Sequence, residues 1–408
     1  MMINRFCIFL FFFSFTLSGC ANEAEISDVP KSPGDSIKLP AGFKLSVFAK
    51  LSALMKDIQA LNPRMMAFDA YGNLYVSIPQ RNSVVMLVDE NHDGVADRAV
   101  LVANHLNAPH GLAFVGEKLY VANQDSIVVL EKNNGTWPSK PAVVIVKDLP
   151  AGGHTLKSLK LGPDGLLYVN VGSSCNVCDE REPLRATILR YTVAGKSAGA
   201  LTTLGRHAPN PIYASGLRNS QGFAWHPKTQ QMFATNEGAD NRSETRNGKV
   251  NDELPPEHLN QIEAGQHYGW PYCWGIAGNS TTQFADPNFG NDTDFCKTTK
   301  APAITFTAHS TPMGIAFLHS AAVAQEFKHD AIVALHGSWN RKAQSGYKLV
   351  RVKFEDDKPV KVEDFATGWL SGNAAWGRPV DVVVGTDGAL YVSDDRAGLI
   401  YRISYRPN

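Results

Sequence analysis

Apolar and polar positions alternate in short runs along this chain, and one such run recurs six times. Its first three copies are Met66-Ala67-Phe68-Asp69 to Leu74-Tyr75-Val76, Gly111-Leu112-Ala113-Phe114 to Leu119-Tyr120-Val121, and Leu159-Lys160-Leu161 to Leu167-Tyr168-Val169. The later three are Gly222-Phe223-Ala224-Trp225 to Met232-Phe233-Ala234, Gly314-Ile315-Ala316-Phe317 to Ile332-Val333-Ala334, and Val382-Val383-Val384 to Leu390-Tyr391-Val392. Each couples a short apolar strand to a second alternating strand through a turn such as Pro163-Asp164-Gly165 or Thr386-Asp387-Gly388, the signature of a β-hairpin. Two further strands usually come next, as at Ser126 to Leu130 and Ala142 to Val146. Four strands per unit, in six units spaced about forty to one hundred residues apart, predict an all-β fold: a six-bladed β-propeller with four-stranded antiparallel blades. The last repeat ends at its third strand, Leu399 to Ile403, so Phe43 to Phe48 is expected to supply the missing outer strand and leave no unpaired edge. The propeller is expected to occupy 41–408, with an insertion at about 241–302.

The N-terminus departs from this pattern. Arg5 precedes an apolar run from Phe6 to Leu17 that is too short to span a bilayer comfortably, which is the grammar of a signal peptide. The run ends in Leu17-Ser18-Gly19-Cys20, and small residues directly before a Cys resemble the lipobox of bacterial lipoproteins. Residues 1–19 are therefore read as a lipoprotein-type signal and 20–40 as a polar tether, with Cys20 lipidated. The expected place is the bacterial membrane, with the outer membrane facing the periplasm favoured and the lipid as the only membrane contact. An ordinary secretory signal with a coincidental Cys is the alternative.

Composition narrows the functions. Lys plus Arg number 39 and Asp plus Glu number 39, so the chain lacks the basic excess that nucleic acid would need. Hydrophobic residues at 44% and charged residues at 19% exclude disorder. Beyond the leader, Cys175, Cys178, Cys273 and Cys296 form an even set in an exported chain. Two disulfides are the default, pairing near neighbours in sequence: Cys175 with Cys178 and Cys273 with Cys296. No partners stand at zinc-finger spacing, and Asp179 after Cys178 excludes a CxxCH haem signal.

In a propeller, the residues before each innermost strand and after each second strand share one face. Those before the innermost strands are Arg64, His110, His154, Arg218 with Asn219, His309 and Arg378. The loops after the second strands add Asn236 to Asn241, His336 to Arg341, and Asp394-Asp395-Arg396. One mouth of the channel is thus expected to be crowded with His, Arg and Asn. Such a ring suits an anionic, planar ligand, because arginine forks pair with carboxylates and an imidazole can take a proton from a hydroxyl.

The run Gly152-Gly153-His154-Thr155, then Gly216-Leu217-Arg218-Asn219 with Gln221-Gly222, Asn236 to Asn241, Asn251-Asp252-Glu253-Leu254, Tyr268-Gly269-Trp270-Pro271 and His336 to Arg341 resembles pyrroloquinoline quinone (PQQ)-dependent sugar dehydrogenases. The resemblance spans about Ile37 to Tyr405 in motif order and is nearest to the L-sorbosone and pyranose dehydrogenase branch of the soluble glucose dehydrogenase superfamily. It implies that His154 is the general base, that Arg218 and Asn219 bond the quinone oxygens, and that Arg378 lies near the cofactor carboxylates. It also implies that the backbone carbonyls of Gly238 and Ala239 hold a calcium ion against PQQ. His110, His309, Arg64 and Arg341 join the cofactor-binding set from the repeat geometry. The glucose-oxidising branch has Asp before the catalytic His where this chain has Gly153, which turns expectation away from glucose itself. The implied activity is oxidation of a sugar, an aldose or a sorbosone-like aldehyde, with electrons leaving to a separate acceptor, a cytochrome or quinone.

Two features stand outside this set. Asp89, Asn91, Asp93 and Asp97 have the oxygen spacing of a calcium loop around Gly94, but Val100 stands where an EF-hand has Glu, so an Asx-rich turn fits equally. The aromatic run His267 to Tyr272 is suited either to stacking on a sugar or to packing the insertion on the propeller. The other function classes are a calcium-dependent lactonase-type hydrolase, which needs acidic side chains facing the channel, and a non-catalytic binding propeller.

Overall fold

The computed structural model describes residues 25–55, 62–200, 210–276, 279–290, 293–319 and 323–406; the leader and Cys20 lie outside them. Six four-stranded antiparallel sheets form the blades of a ring, each hairpin repeat supplying the two strands next to the channel. From the channel outward, blade 1 is Met66–Phe68, Leu74–Ile78, Ser83–Val88 and Arg98–Ala103, and blade 2 is Leu112–Val115, Lys118–Ala122, Ile127–Leu130 and Val143–Val146. Blade 3 is Leu159–Leu161, Leu167–Val171, Thr187–Tyr191 and Ile212–Ser215; blade 4 is Phe223–Trp225, Met232–Asn236, Glu257–Ile262 and Ile304–Phe306. Blade 5 is Pro312–Phe317, Ala331–Leu335, Lys348–Glu355 and Lys358–Ala366. Blade 6 takes Pro379–Val384, Leu390–Asp394 and Leu399–Tyr405 from the C-terminal end and its outer strand, Phe43–Lys50, from the N-terminal end. Phe43 pairs with Tyr405 and Lys50 with Leu399, so the ring closes by hydrogen bonds as the truncated last repeat predicts.

The core lies between blades. A strand of period two sends alternate side chains to opposite neighbours: Leu74 and Val76 pack toward blade 6 with Phe48 and Tyr391, while Tyr75 packs toward blade 2 with Leu112 and Leu119. The same division continues around the ring. The glycine that opens several inner strands permits this closeness. A Cβ on Gly222 would stand 1.9 Å from the Met313 carbonyl oxygen of blade 5, and one on Gly314 would stand 2.3 Å from Asp381 Oδ1 of blade 6.

At the hairpin face, each Pro-Asp-Gly type turn is tied down by its own strand. Asp164 accepts from Leu166 N at 3.1 Å and from the Tyr168 hydroxyl at 2.8 Å. Asp387 repeats this with Ala389 N and Tyr391, and Asp69 with Tyr71 N and Tyr75.

The stretch 241–302, expected as one insertion, contains the third strand of blade 4, Glu257–Ile262, which pairs with Met232–Asn236. Its polar alternation, Glu257-His258-Leu259-Asn260-Gln261, hides it from a hydrophobic pattern. The segment after this strand climbs the outside of blade 3, with Gly265 N on Tyr213 O and Trp270 N on Gly216 O, to reach the face that carries the inner-strand loops. Cys273 is bonded to Cys296 there, and Cys175 to Cys178 in blade 3. No helix among the described residues is long and apolar enough to cross a membrane.

Candidate active site

His154 sits on the loop before the inner strand of blade 3. Its Nδ1 is 3.1 Å from the Ser173 carbonyl and 2.9 Å from Ser173 Oγ, whose own hydroxyl donates to Cys175 O at 2.7 Å. Both groups can only accept from the imidazole, so Nδ1 carries the hydrogen and Nε2 the lone pair. Burial, then the Arg218 charge, pushes the imidazole down to about 4, so it is neutral near pH 7. The approach of the two loops requires glycine: Gly153 has φ +61°, and a Cβ there would lie 2.5 Å from Ser173 O. Gly153 is therefore required by the backbone here, whatever it does for substrate choice. Below, Lys157 is wholly buried and donates to Pro150 O at 2.8 Å and Thr155 O at 2.9 Å, carbonyls on either side of His154. Burial lowers its ammonium to about 7.

Arg218 and Asn219 lead into the inner strand of blade 4. Arg218 Nη2 pairs with Asp240 at 2.8 Å and with Asn176 Oδ1 at 3.0 Å, and Nε donates to Asn176 O at 3.1 Å. Among the described residues these bonds leave Nη1 for a ligand. Asn219 donates to Glu237 at 2.9 Å and accepts from Gln221 at 3.1 Å. Burial raises the Glu237 carboxyl to about 7 and that of Glu257, which accepts from Gly238 N, to about 8. Asp240 also accepts from Asn340 Nδ2 at 2.7 Å and lies 3.7 Å from His309 Nδ1.

Across the mouth, blades 1, 5 and 6 share a second cluster. Arg64 pairs with Asp395 at 2.6 Å, and His336 donates from Nε2 to Asp395 at 3.0 Å while Nδ1 accepts from Arg378 at 2.8 Å. His110 lies behind Arg64, fully buried, with Nε2 receiving Arg64 Nε at 3.4 Å; burial holds it far below the usual imidazole range.

The structure thus brings His154, Arg218, Asn219, Gly238, Ala239, Arg64, His309 and Arg378 to one mouth and sets His110 one layer deeper. Arg341 donates from its two terminal nitrogens to Ala308 O and Glu253, on the blade 5 side, and among the described residues its buried Nε has no acceptor. Asp89, Asn91, Asp93 and Asp97 lie at the opposite end of blade 1, and their side chains accept from the loop's own amides: Gly94 N on Asp89, Asp93 N on Asn91, Val95 N on Asp93 and Glu90 N on Asp97. That is Asx-turn chemistry. Glu237, Asp240, His336 and Asp395 come from loops the sequence placed at this mouth, though without a role, while Ser173, Asn176, Glu257 and Lys157 join the site without having been expected from the sequence. The loop after the second strand of blade 3, Gly172 to Asn176, stands where the other blades present their polar loops, and that register was the signal for two of them.

Residues 49–406 of the chain match the family described as TrAA12-like. The chain belongs to the TrAA12-like family. A Borreliella burgdorferi protein of uncharacterized function is 27% identical to this TrAA12-like chain, with 91% of each covered. The PQQ-dependent pyranose dehydrogenase of Coprinopsis cinerea is 23% identical over 84% of the chain, which spans 52% of that enzyme's length. Among solved structures, the calcium structure of a Trichoderma reesei carbohydrate-active enzyme of family AA12 superposes with TM-score 0.77 at 19% identity, covering 93% of this chain and 100% of that one. The holo PQQ domain of the Coprinopsis cinerea pyranose dehydrogenase gives TM-score 0.75 at 21% identity, covering 90% and 97%.

The atoms of the TrAA12-like site fit an anionic cofactor and a cation. Three guanidiniums, Arg64, Arg218 and Arg378, converge on one mouth, which fits carboxylates. Beside Gly238 and Ala239, burial holds two carboxyls toward their neutral form, and Asn340 Oδ1 has no donor partner among the described residues. An excess of acceptors of this kind fits a hard, oxygen-seeking cation.

Proposed function

We propose that the chain is a PQQ- and calcium-dependent dehydrogenase that oxidises a sugar, an aldose or a sorbosone-like aldehyde. PQQ, when bound, supplies the hydride acceptor, and calcium beside it supplies Lewis acidity. Arg218 Nη1 and the Asn219 amide would hold the cofactor's quinone edge, Arg64 and Arg378 its carboxylates, and the carbonyls of Gly238 and Ala239 the calcium. His154 Nε2 takes the substrate hydroxyl proton, and Ser173 keeps that nitrogen unprotonated by holding the hydrogen on Nδ1. Burial, and then Arg218 beside it, disfavours the imidazolium, which keeps the base free at neutral pH.

The observation that carries this reading is the tautomer of His154 within reach of the Arg218–Asn219 pair. Electrons leave to a separate acceptor, a cytochrome or quinone, and the chain is exported and anchored through lipid on Cys20. The acids at the mouth give the lactonase reading its one argument, but Asp240 and Asp395 are spent on Arg218 and Arg64.

Purified apo-protein titrated with PQQ and calcium should gain the quinone's absorbance, and an aldose or sorbosone should bleach it. Lactone opening without quinone uptake would replace this reading with the hydrolase. Mass analysis of the N-terminal peptide checks the lipid; unmodified Cys20 in a wholly soluble form would refute the anchor.

A further inference from the structure

The two disulfides differ in setting. Cys273 and Cys296 are buried and staple the elaboration outside blade 3, whereas Cys175 and Cys178 are half-buried and close a ring of only a few residues. Cross-linking so short a loop removes little chain entropy, so its effect lies in local geometry.

What the loop holds in place is specific. Cys175 O receives Ser173 Oγ, the hydroxyl that accepts from His154 Nδ1. One residue on, Asn176 spends its whole amide on the other half of the site: Oδ1 receives Arg218 Nη2 at 3.0 Å and Asp240 N at 2.7 Å, and Nδ2 donates to Asp240 O at 2.9 Å. Its carbonyl receives Arg218 Nε at 3.1 Å and Trp270 Nε1 at 3.0 Å. From outside, Glu180 accepts from the N–H and hydroxyl of Ser174. A single small loop therefore touches the support of the base, the arginine, and the backbone of the aspartate whose carboxylate pairs with that arginine.

We propose that the disulfide-closed loop 175–178 is a positioning element that fixes His154 and Arg218 relative to one another, with Asn176 as its positioning residue, and that opening the disulfide uncouples them. This rests on the reading of His154 as base and Arg218 as cofactor ligand. Opening is a two-electron step: a dithiol gives two electrons and two protons to the Cys175–Cys178 bond, leaving two thiols on the protein and a cyclic disulfide on the reagent. The half-buried bond opens before the buried Cys273–Cys296 bond.

The test uses full-length apo-protein treated with dithiothreitol, alkylated and desalted before PQQ and calcium are added, beside a Cys175→Ser/Cys178→Ser double variant, Asn176→Ala and Asn176→Asp. Nitrogen-15 spectra of the imidazoles, taken without PQQ, report the His154 tautomer; PQQ titration and single-turnover quinone reduction report the site. Opening the loop should turn the single Nδ1–H form into a mixture and slow reduction by about tenfold or more, with sugar KM and melting temperature little changed. Asn176→Ala should weaken PQQ binding by about tenfold, and Asn176→Asp, which keeps both acceptors for Arg218, should recover most of that loss. An unchanged tautomer and rate in the opened protein would overturn the proposal, as would a rate loss that only follows unfolding. Wild type that binds no PQQ would defeat the functional reading instead, and the apo tautomer spectra would still decide the loop's role.

Discussion

The two mouths of the channel are built by the same repeat and have opposite chemistry. At the hairpin mouth the turn carboxylates Asp69, Asp164 and Asp387 are satisfied within their own repeats, as Asp164 is by Leu166 and Tyr168, and the space between inner strands is an apolar cavity of about 420 Å³ lined by Leu161, Trp225, Phe317 and Val384. At the other mouth the partners come from distant blades: Arg64 and Asp395 stand 331 residues apart in sequence, and Asn340 and Asp240 stand 100 apart. Local closure leaves those three carboxylates satisfied without a ligand. Closure across blades holds charged groups in place while leaving Arg218 Nη1 and His154 Nε2 open to one.

The comparison can be broken most sharply at His154. His154→Ala should leave PQQ bound and slow turnover by roughly two to four orders of magnitude, the range of a positioned general base, read as single-turnover quinone reduction. If reduction is as fast as in wild type, the base lies elsewhere on the mouth.

Next in size is the seam between blades. Gly222→Ala pushes a methyl against the Met313 carbonyl and should cost about 3 kcal/mol or more, seen as a lower denaturation midpoint.

The pH profile separates the mouths by charge. The neutral imidazole of His154 is the active form and its folded value is about 4, so kcat/KM should hold as pH falls through 6.5 and drop only as pH falls through about 4. An acid limb at 6.5 would show an imidazole in ordinary solvent.

Calcium should raise the melting temperature of the apo-protein by several degrees when present well above its dissociation constant. Asp89→Asn with Asp93→Asn, at the hairpin end of blade 1, should leave that rise unchanged. The smallest effect is expected at the hairpin mouth itself, where Tyr168→Phe should cost about 1 kcal/mol and leave turnover unchanged, as chemical denaturation and steady-state assay would show.

The same contrast explains what could be read in the sequence. Tyr168 follows Asp164 at a fixed short distance, as Tyr391 follows Asp387, so both strands and turns are written locally and the blades could be counted. His154, Arg218 and Arg378 were legible because each stands before an inner strand and falls in register. Asn176 and Glu257 were not, because their meaning depends on segments folded against them from elsewhere: Asn176 on Arg218 and Asp240, Glu257 on the turn at Gly238. Glu257 also begins a strand whose polar alternation disguised it inside the 241–302 stretch. Arg341 shows the converse. It falls in a polar loop at the right mouth, yet its two terminal guanidinium nitrogens turn to Glu253 and Ala308, on the blade 5 side.

The strand Phe43–Lys50 has a consequence in time. Its partner, Leu399–Tyr405, is made only after the five blades that lie between them in sequence, so the first strand of the ring waits through their synthesis with one edge unpaired. Closing a loop that contains five blades is entropically slow, and contacts so distant in sequence belong to late folding events. A chain cut a few residues into Leu399–Tyr405 would carry five finished blades and an exposed edge at each side of the gap, a ready template for joining another molecule. Closure of blade 6 also sets Asp395, which follows its second strand, against Arg64 of blade 1, so the seam that closes the ring carries part of the site.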